Sequence, residues 1–180
     1  AVLGMDVFDL EAIHDRMDTV LPAHLFAKAG IDLALHDLMG KLLGVPVYRL
    51  LGGRFRDRIL LSGGPIGLLG SPKAAAERAA QLVAEGFRTV KLKIGDPDGR
   101  DEATVRAVRE AIGRDVELRL DANQAYTADR AVPLLRRLER YEPFLIEQPV
   151  AAWDLDGLAK VAAALDVPVM ADEPVSTPTD

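Results

Sequence analysis

Cysteine is absent from the 180 residues. That excludes a disulfide framework, a thiolate metal site and a thiol nucleophile. Aromatic residues are sparse at 5%, too few for a platform that stacks the bases of single-stranded nucleic acid. Basic charge is not in excess either: 22 Lys and Arg face 28 Asp and Glu, a net charge of −6. A nucleic-acid backbone or an anionic membrane surface is therefore disfavoured as a partner. No apolar run approaches the roughly 20 residues that cross a bilayer, and no basic stretch leading into an apolar run marks a secretory signal. What remains, 49% hydrophobic and 28% charged residues, is the composition of a globular protein with a real core. A reducing cytoplasm is the expected compartment.

Two kinds of patterning divide the chain. Residues 1–53 read as helical. Within Ala23 to Leu43, the residues Leu25, Ala29, Leu33, His36, Met39 and Leu43 recur at helical spacing, an amphipathic stripe. Gly44 then suits the helix end, with Pro46 beyond it. From residue 54 to 180 short β-rich runs alternate with helical ones. The expected strands are Ile59–Leu61, Thr89–Ile94, Glu117–Leu120, Phe144–Ile146 and Val167–Met170. Between them Ser71-Pro72 opens a helix that Gly86 closes, Asp101 to Ile112 forms a second, Thr127 caps a third to about Tyr141 through Pro133, and Asp154 caps a fourth to about Leu165. Five strand–helix alternations imply parallel strands joined by crossovers. A doubly wound sheet and a (β/α) barrel both satisfy this. The lack of a Gly-x-Gly-x-x-Gly fingerprint weighs against a dinucleotide-binding sheet.

The strand ends carry charge. In Val90-Lys91-Leu92-Lys93-Ile94 the two lysines share a face, because successive side chains alternate. Asp121, Glu147 and Asp172 follow the third, fourth and fifth strands at steps of 26 and 25 residues, about one βα unit each. In a closed barrel such positions surround the carboxyl-end mouth where active sites lie. Converging carboxylates repel one another, and an all-oxygen set without His or Cys favours Mg²⁺, with Mn²⁺ the alternative ion. Two adjacent lysines depress each other's pKa, which suits a base. Taken singly, an acid after a strand is more often a helix cap, and a Lys-x-Lys more often an exposed strand face. The repeated register is what separates these residues from that ordinary reading. His14, His24 and His36 are expected to be structural or surface residues, Asp32, Asp37 and Lys41 an ion-pair set on a helix face, and Trp153 a packing residue against the barrel wall. Gly63-Gly64-Pro65-Ile66, after the first strand, is expected to touch the substrate, the alternative being that its glycines only make the turn.

The stretches Val90-Lys91-Leu92-Lys93, Leu120-Asp121-Ala122-Asn123-Gln124, Ile146-Glu147-Gln148-Pro149 and Met170-Ala171-Asp172-Glu173, with the helix Ala29 to Lys41 before them, resemble the enolase superfamily. Within it they resemble the muconate lactonizing subgroup of the mandelate racemase/muconate lactonizing enzyme family. His36 departs from the Trp common at that helix position. The resemblance implies an α/β fold: a partial (β/α)₇β TIM-like barrel of about five βα units over 54–180, with 1–53 the helical tail of a capping domain. It implies Asp121, Glu147 and Asp172 as Mg²⁺ ligands, and Lys93 as the acid/base for the proton α to a substrate carboxylate. Lys91 would lower the pKa of Lys93, and Asn123 and Glu173 would orient the ligands. Charge on the enediolate is stabilised by the metal in this superfamily.

The expected function is thus racemisation, epimerisation or cycloisomerisation of a small carboxylate. Relatives carry a further Lys on a sixth strand, which is not found here, so the chain reads as an inactive fragment of a homo-oligomeric parent. Rival readings are an acid-sugar dehydratase of the mandelate racemase type, a Schiff-base aldolase, and a non-catalytic barrel fragment.

Overall fold

The computed structural model describes residues 1–68 and 70–180. The chain divides into two compact units, Ala1–Ile59 and Leu60–Asp180.

The first unit holds three helices, α1 (Leu10–Val20), α2 (Leu25–Leu43) and α3 (Val47–Leu50). Ile13 and Met17 of α1 are buried. Gly44 ends α2 in the left-handed conformation, φ +67°, as a glycine C-cap requires. The stripe expected on α2 does not bury: Leu25, Leu33 and Leu43 are exposed, and Gly40 is the buried residue of the helix. Apolar residues lie around most of the circumference of α2, and the short neighbours α1 and α3 cover little of it. Lys41 and Asp37 form the expected i,i+4 pair at 2.6 Å, whereas Asp32 accepts from His14 at 2.8 Å and takes no part in that pair.

The second unit alternates β1 (Gly63–Ile66), α4 (Pro72–Ala84), β2 (Thr89–Lys93), α5 (Asp101–Ile112), β3 (Glu117–Asp121), α6 (Ala128–Leu138), β4 (Leu145–Glu147), α7 (Leu155–Ala164) and β5 (Val169–Met170). Ser71 Oγ accepts from the Ala74 N–H at 3.2 Å, and Asp154 Oδ1 from the Gly157 N–H at 2.9 Å, so two of the three expected caps form; Thr127 precedes its helix without a side-chain cap bond. Helix α6 runs on through Pro133 and tightens into a 3₁₀ turn over Glu139–Tyr141. All strand pairs are parallel and the sheet order is β1-β2-β3-β4-β5. A doubly wound sheet reverses its order at a switch point. This one never reverses, so it winds as a barrel does.

One face of the sheet builds the core. Val90, Leu92, Leu118, Leu120 and Ile146 are wholly buried and cluster with Ala79 and Leu82 of α4, Val105 and Val108 of α5, Leu135 and Leu138 of α6, and Val161 of α7. Each fully buried Leu contributes roughly 1.5–3 kcal/mol. The residues between them, Lys91, Lys93, Arg119, Asp121 and Glu147, take the other face. Among the described residues no helix is long and apolar enough to cross a membrane.

Two further expectations fail here. The first strand is Gly63–Ile66, not Ile59–Leu61. Gly63 and Ile66 pair with Val90 and Leu92, and a Cβ on Gly63 would press on the Phe87 ring, so this close approach needs glycine. Ile59, Leu60 and Leu61 are exposed; their apolar character imitates a strand without pairing. Trp153 does not pack against the barrel: it is 85% exposed, because the turn closed by the Asp154 N–H on Ala151 O at 2.9 Å throws it outward.

Arg109 fastens the ends of α5 and of the 3₁₀ turn. Its buried guanidinium donates to Tyr141 O at 2.8 Å, Gly113 O at 2.7 Å, Val116 O at 2.8 Å and Glu142 O at 3.0 Å. Burial pushes its pKa below the usual arginine value, with the Glu142 charge opposing. Arg109→Met leaves four carbonyls without this donor, and the expected loss is about 3 kcal/mol. Urea unfolding would read it as a lower midpoint with unchanged slope.

Candidate active site

The parallel register puts the charged residues in line. Lys93 pairs with Asp121, Asp121 with Glu147, and Glu147 with Met170. Lys93, Asp121 and Glu147 therefore form one row across three strands, with Lys91 one step below on the same face. Asp172 is not in that row: β5 meets it at Met170, and Asp172 stands two residues past, on the loop. The even spacing in sequence hid this offset, because β5 pairs through only two residues.

The lysines fill the space between the acids. Lys91 Nζ lies 2.8 Å from Asp121 Oδ2 and 2.7 Å from Glu147 Oε2. Lys93 Nζ lies 2.7 Å from the same Asp121 Oδ2 and also donates to Asn123 Oδ1. The Asn123 N–H donates to Asp121 Oδ1 at 3.0 Å, and Asn123 Nδ2 donates to Glu173 Oε1 at 3.2 Å. Asn123 thus connects Lys93, Asp121 and Glu173. The other Glu173 carboxylate oxygen, Oε2, is buried and finds no donor.

The titration behaviour follows from these contacts. Burial pushes Asp121 upward, but hydrogen bonds from Lys91, Lys93 and the Asn123 N–H outweigh it, and its pKa ends below the usual value. Burial also pushes Glu147 upward; the Lys91 hydrogen bond opposes this, the Asp121 and Asp172 charges reinforce it, and the result is raised. Asp172 is thus close enough to act by charge. Lys91 goes the opposite way from the expectation. Burial lowers it, but Asp121 and Glu147 more than offset that, and its pKa is raised. Repulsion between the two lysines is the smaller effect when two carboxylates are in direct contact.

Among the described residues, no three His, Cys, Asp or Glu side chains gather closely enough to hold a metal ion. Asp121 and Glu147 meet through Lys91, and Asp172 stays outside their hydrogen bonds. The donor chemistry nevertheless fits a hard divalent cation: three carboxylates near one sheet end, no nitrogen or sulfur ligand, and a donorless buried oxygen on neighbouring Glu173.

The loops at this end are braced by residues whose sequence context gave no sign of it. The buried Asp101 carboxylate accepts from the Gly95 and Asp96 N–H groups at 2.9 and 3.0 Å and from Tyr126 Oη at 2.8 Å. This joins the loop after Lys93 to the loop after Asp121. Gly95 has φ +104°, and a Cβ there would overlap the Ala125 methyl, so the two loops touch. Burial raises the Tyr126 pKa, and the Asp101 charge raises it further, so the phenol remains a donor. An open cleft of about 470 Å³ lies beside Lys93 and Asn123, also lined by Leu68, Gly95 and Ala122. A larger one of about 670 Å³ runs along α6 and includes none of the lysines or acids of the row.

With that geometry in view, comparison places the chain among known proteins. Residues 74–180, more than half of it, match the "Enolase C-terminal domain-like" family. Residues 1–52 match the "Mandelate racemase / muconate lactonizing enzyme, N-terminal domain". The chain belongs to the mandelate racemase/muconate lactonizing enzyme family of the enolase superfamily. Among family members, the hydrophobic dipeptide epimerase of Enterococcus faecalis is 42% identical over 96% of this chain and 48% of its own length. The N-succinyl-L-Arg/Lys racemase of Bacillus cereus is 36% identical over 96% and 47%. A crystal structure of the E. faecalis dipeptide epimerase with Mg and the dipeptide L-Leu-L-Tyr superposes with a TM-score of 0.87 at 41% identity, over 96% of this chain and 48% of that one. The chain spans about half the length of the curated relatives it matches. Its barrel-type winding is the family's.

Tyr126→Phe removes the phenol bond to Asp101 and is expected to cost about 1.5 kcal/mol. Thermal melting checks the loss, and faster amide exchange at Gly95 and Asp96 would locate it in the loop after Lys93.

Proposed function

We propose that the protein containing this chain removes the proton α to a carboxylate through Lys93 on one face and, with a second acid/base protonating the opposite face, epimerises or racemises a small amino-acid derivative, with a dipeptide the first substrate to try. The observation that carries this is the row of Lys93, Asp121 and Glu147 on one sheet face, with Asn123 holding Lys93. Two relatives named for epimerisation or racemisation of amino-acid derivatives support the choice. Cycloisomerisation shares the protonation of an α carbon next to a carboxylate, here after an intramolecular addition to a double bond, and is the alternative outcome for a different substrate.

Asp121, Glu147 and Asp172 are proposed to hold Mg²⁺, with Mn²⁺ the alternative ion on the same oxygen donors. When bound, the cation supplies Lewis-acid stabilisation of negative charge developing on the substrate carboxylate. Lys93 is the proposed acid/base, because its amine faces the cleft beside Asn123 and a positioned amine can exchange a proton with the substrate carbon. Asn123 Oδ1 accepts from that amine and fixes its direction. Lys91 adds positive charge next to the carboxylate row and bridges Asp121 and Glu147. Glu173 steadies Asn123 through its Nδ2. The stretch 1–53 is proposed as capping-domain helices and 54–180 as barrel strands. A cytoplasmic, homo-oligomeric enzyme completes the reading.

The test is exchange of the substrate α-proton with D₂O, followed by NMR on a panel of dipeptides and N-acylated amino acids. Lys93→Ala is expected to lower exchange by roughly 10²–10⁴-fold while Mg²⁺ binding persists; undiminished exchange in that variant would remove Lys93 from the role. Chelation by EDTA is expected to abolish exchange, and added Mg²⁺ to restore it. Exchange that survives complete chelation would exclude the metal assignment.

A further inference from the structure

Gln148 follows Glu147 and is wholly buried, yet nothing in the proposed chemistry uses it. Every polar group it owns is engaged. Its N–H donates to Met170 O at 2.9 Å, and its C=O accepts from the Gln124 N–H at 2.8 Å. Its side-chain Oε1 accepts from the Asp172 N–H at 2.8 Å, and its Nε2 donates to Val150 O at 2.9 Å. The backbone sits at φ +37°, a region that non-glycine residues occupy only when the surroundings hold them there. Val150 in turn pairs with Tyr126. One residue therefore ties together the loops that follow β3, β4 and β5.

We infer that Gln148 is a positioning residue that sets where Asp172 stands relative to Glu147. This rests on the proposed role of Asp172 as a ligand. Asp172 lies past the last paired residue of its strand, so the sheet register does not hold it. The Gln148 amide holds it instead, since its carbonyl oxygen fixes the Asp172 backbone and the bond to Val150 fixes the amide. A burial this complete makes an unmatched amide costly, so the side chain has one orientation and Asp172 inherits it. An apolar residue of similar length fills the volume and releases Asp172. A glutamate keeps an acceptor toward Asp172, and a carboxyl buried this completely stays neutral, so its O–H replaces the Nε2 donation to Val150 O.

The experiment uses the intact protein as wild type, Gln148→Met, Gln148→Glu, Asp172→Asn and the Gln148→Met/Asp172→Asn double variant. Mg²⁺ affinity is read by calorimetry and Asp172 amide protection by hydrogen exchange. Gln148→Met is expected to weaken Mg²⁺ binding by about 10-fold or more and to speed Asp172 exchange by a similar factor, with Ile146 unaffected. Gln148→Glu is expected to keep Asp172 protected, and this variant decides the matter if the methionine variant does not fold. The double variant is expected to bind Mg²⁺ no more weakly than Asp172→Asn alone, since both act through one residue. Unchanged Asp172 exchange in Gln148→Met, loss of protection in Gln148→Glu, or multiplying losses in the double variant would overturn the inference. A wild type that binds no Mg²⁺ would defeat the metal assignment instead, and the exchange rates would still judge Gln148.

Discussion

Like charge at the end of a parallel sheet is the constraint on which the site depends. Asp121 and Glu147 are neighbours in register, both almost fully buried, and neither can be ionised there without positive charge at hand. Lys91 and Lys93 supply it from the adjoining strand, and Asp121 Oδ2 takes both ammonium groups at once. Register makes this arrangement unavoidable. A one-residue slip of β2 would turn both lysines into the helix-packed core and Leu92 onto the polar face, so the apolar packing of Val90 and Leu92 and the placement of the lysines enforce each other.

The backbone contributes as much as the side chains. Asn123, Gln124 and Gln148 all have positive φ, immediately after the strands that end in Asp121 and Glu147. The bend after Asp121 aims the Asn123 N–H back at Asp121 Oδ1, and beyond both bends Tyr126 and Val150 still pair in parallel. Asp101 braces the loop after Asp121 through Tyr126, and Gln148 ties its own bend to Val150 and Asp172. The machinery that orients the acids is therefore a lattice of side-chain bonds to neighbouring loops, stiffer than the short strands β4 and β5 alone would allow.

What the sequence showed and what it concealed divide along this line. Local, periodic features were legible: the alternation of strands and helices, the caps Ser71 and Asp154, the glycine end of α2, and the same-face pairing of Lys91 with Lys93. Contacts between distant loops were not. Nothing about Arg109 in a helical run indicates that it will reach four carbonyls, and nothing about Asp101 distinguishes it from an ordinary first-turn acid. Ile59-Leu60-Leu61 had strand composition without a partner, whereas Gly63 had a partner without strand composition, and pairing decided between them. The constant step between Asp121, Glu147 and Asp172 measured chain length and not height, which is why Asp172 lies beyond the row.

Lys91 shows how the two charge systems compete. An amine accepts a proton from carbon only when it is neutral, yet the same carboxylates that bring Lys91 into the site hold it protonated. The lysines and the proposed cation would draw on the same oxygens of Asp121 and Glu147, so a carboxylate engaged by one is less available to the other. By thermodynamic reciprocity, whatever lowers the negative potential of the acids lowers the proton affinity of Lys91, and a neutral Lys91 in turn leaves the acids freer for positive charge from elsewhere. Lys93, the proposed base, contacts one carboxylate where Lys91 contacts two, and its remaining bond goes to the Asn123 amide, which directs the amine.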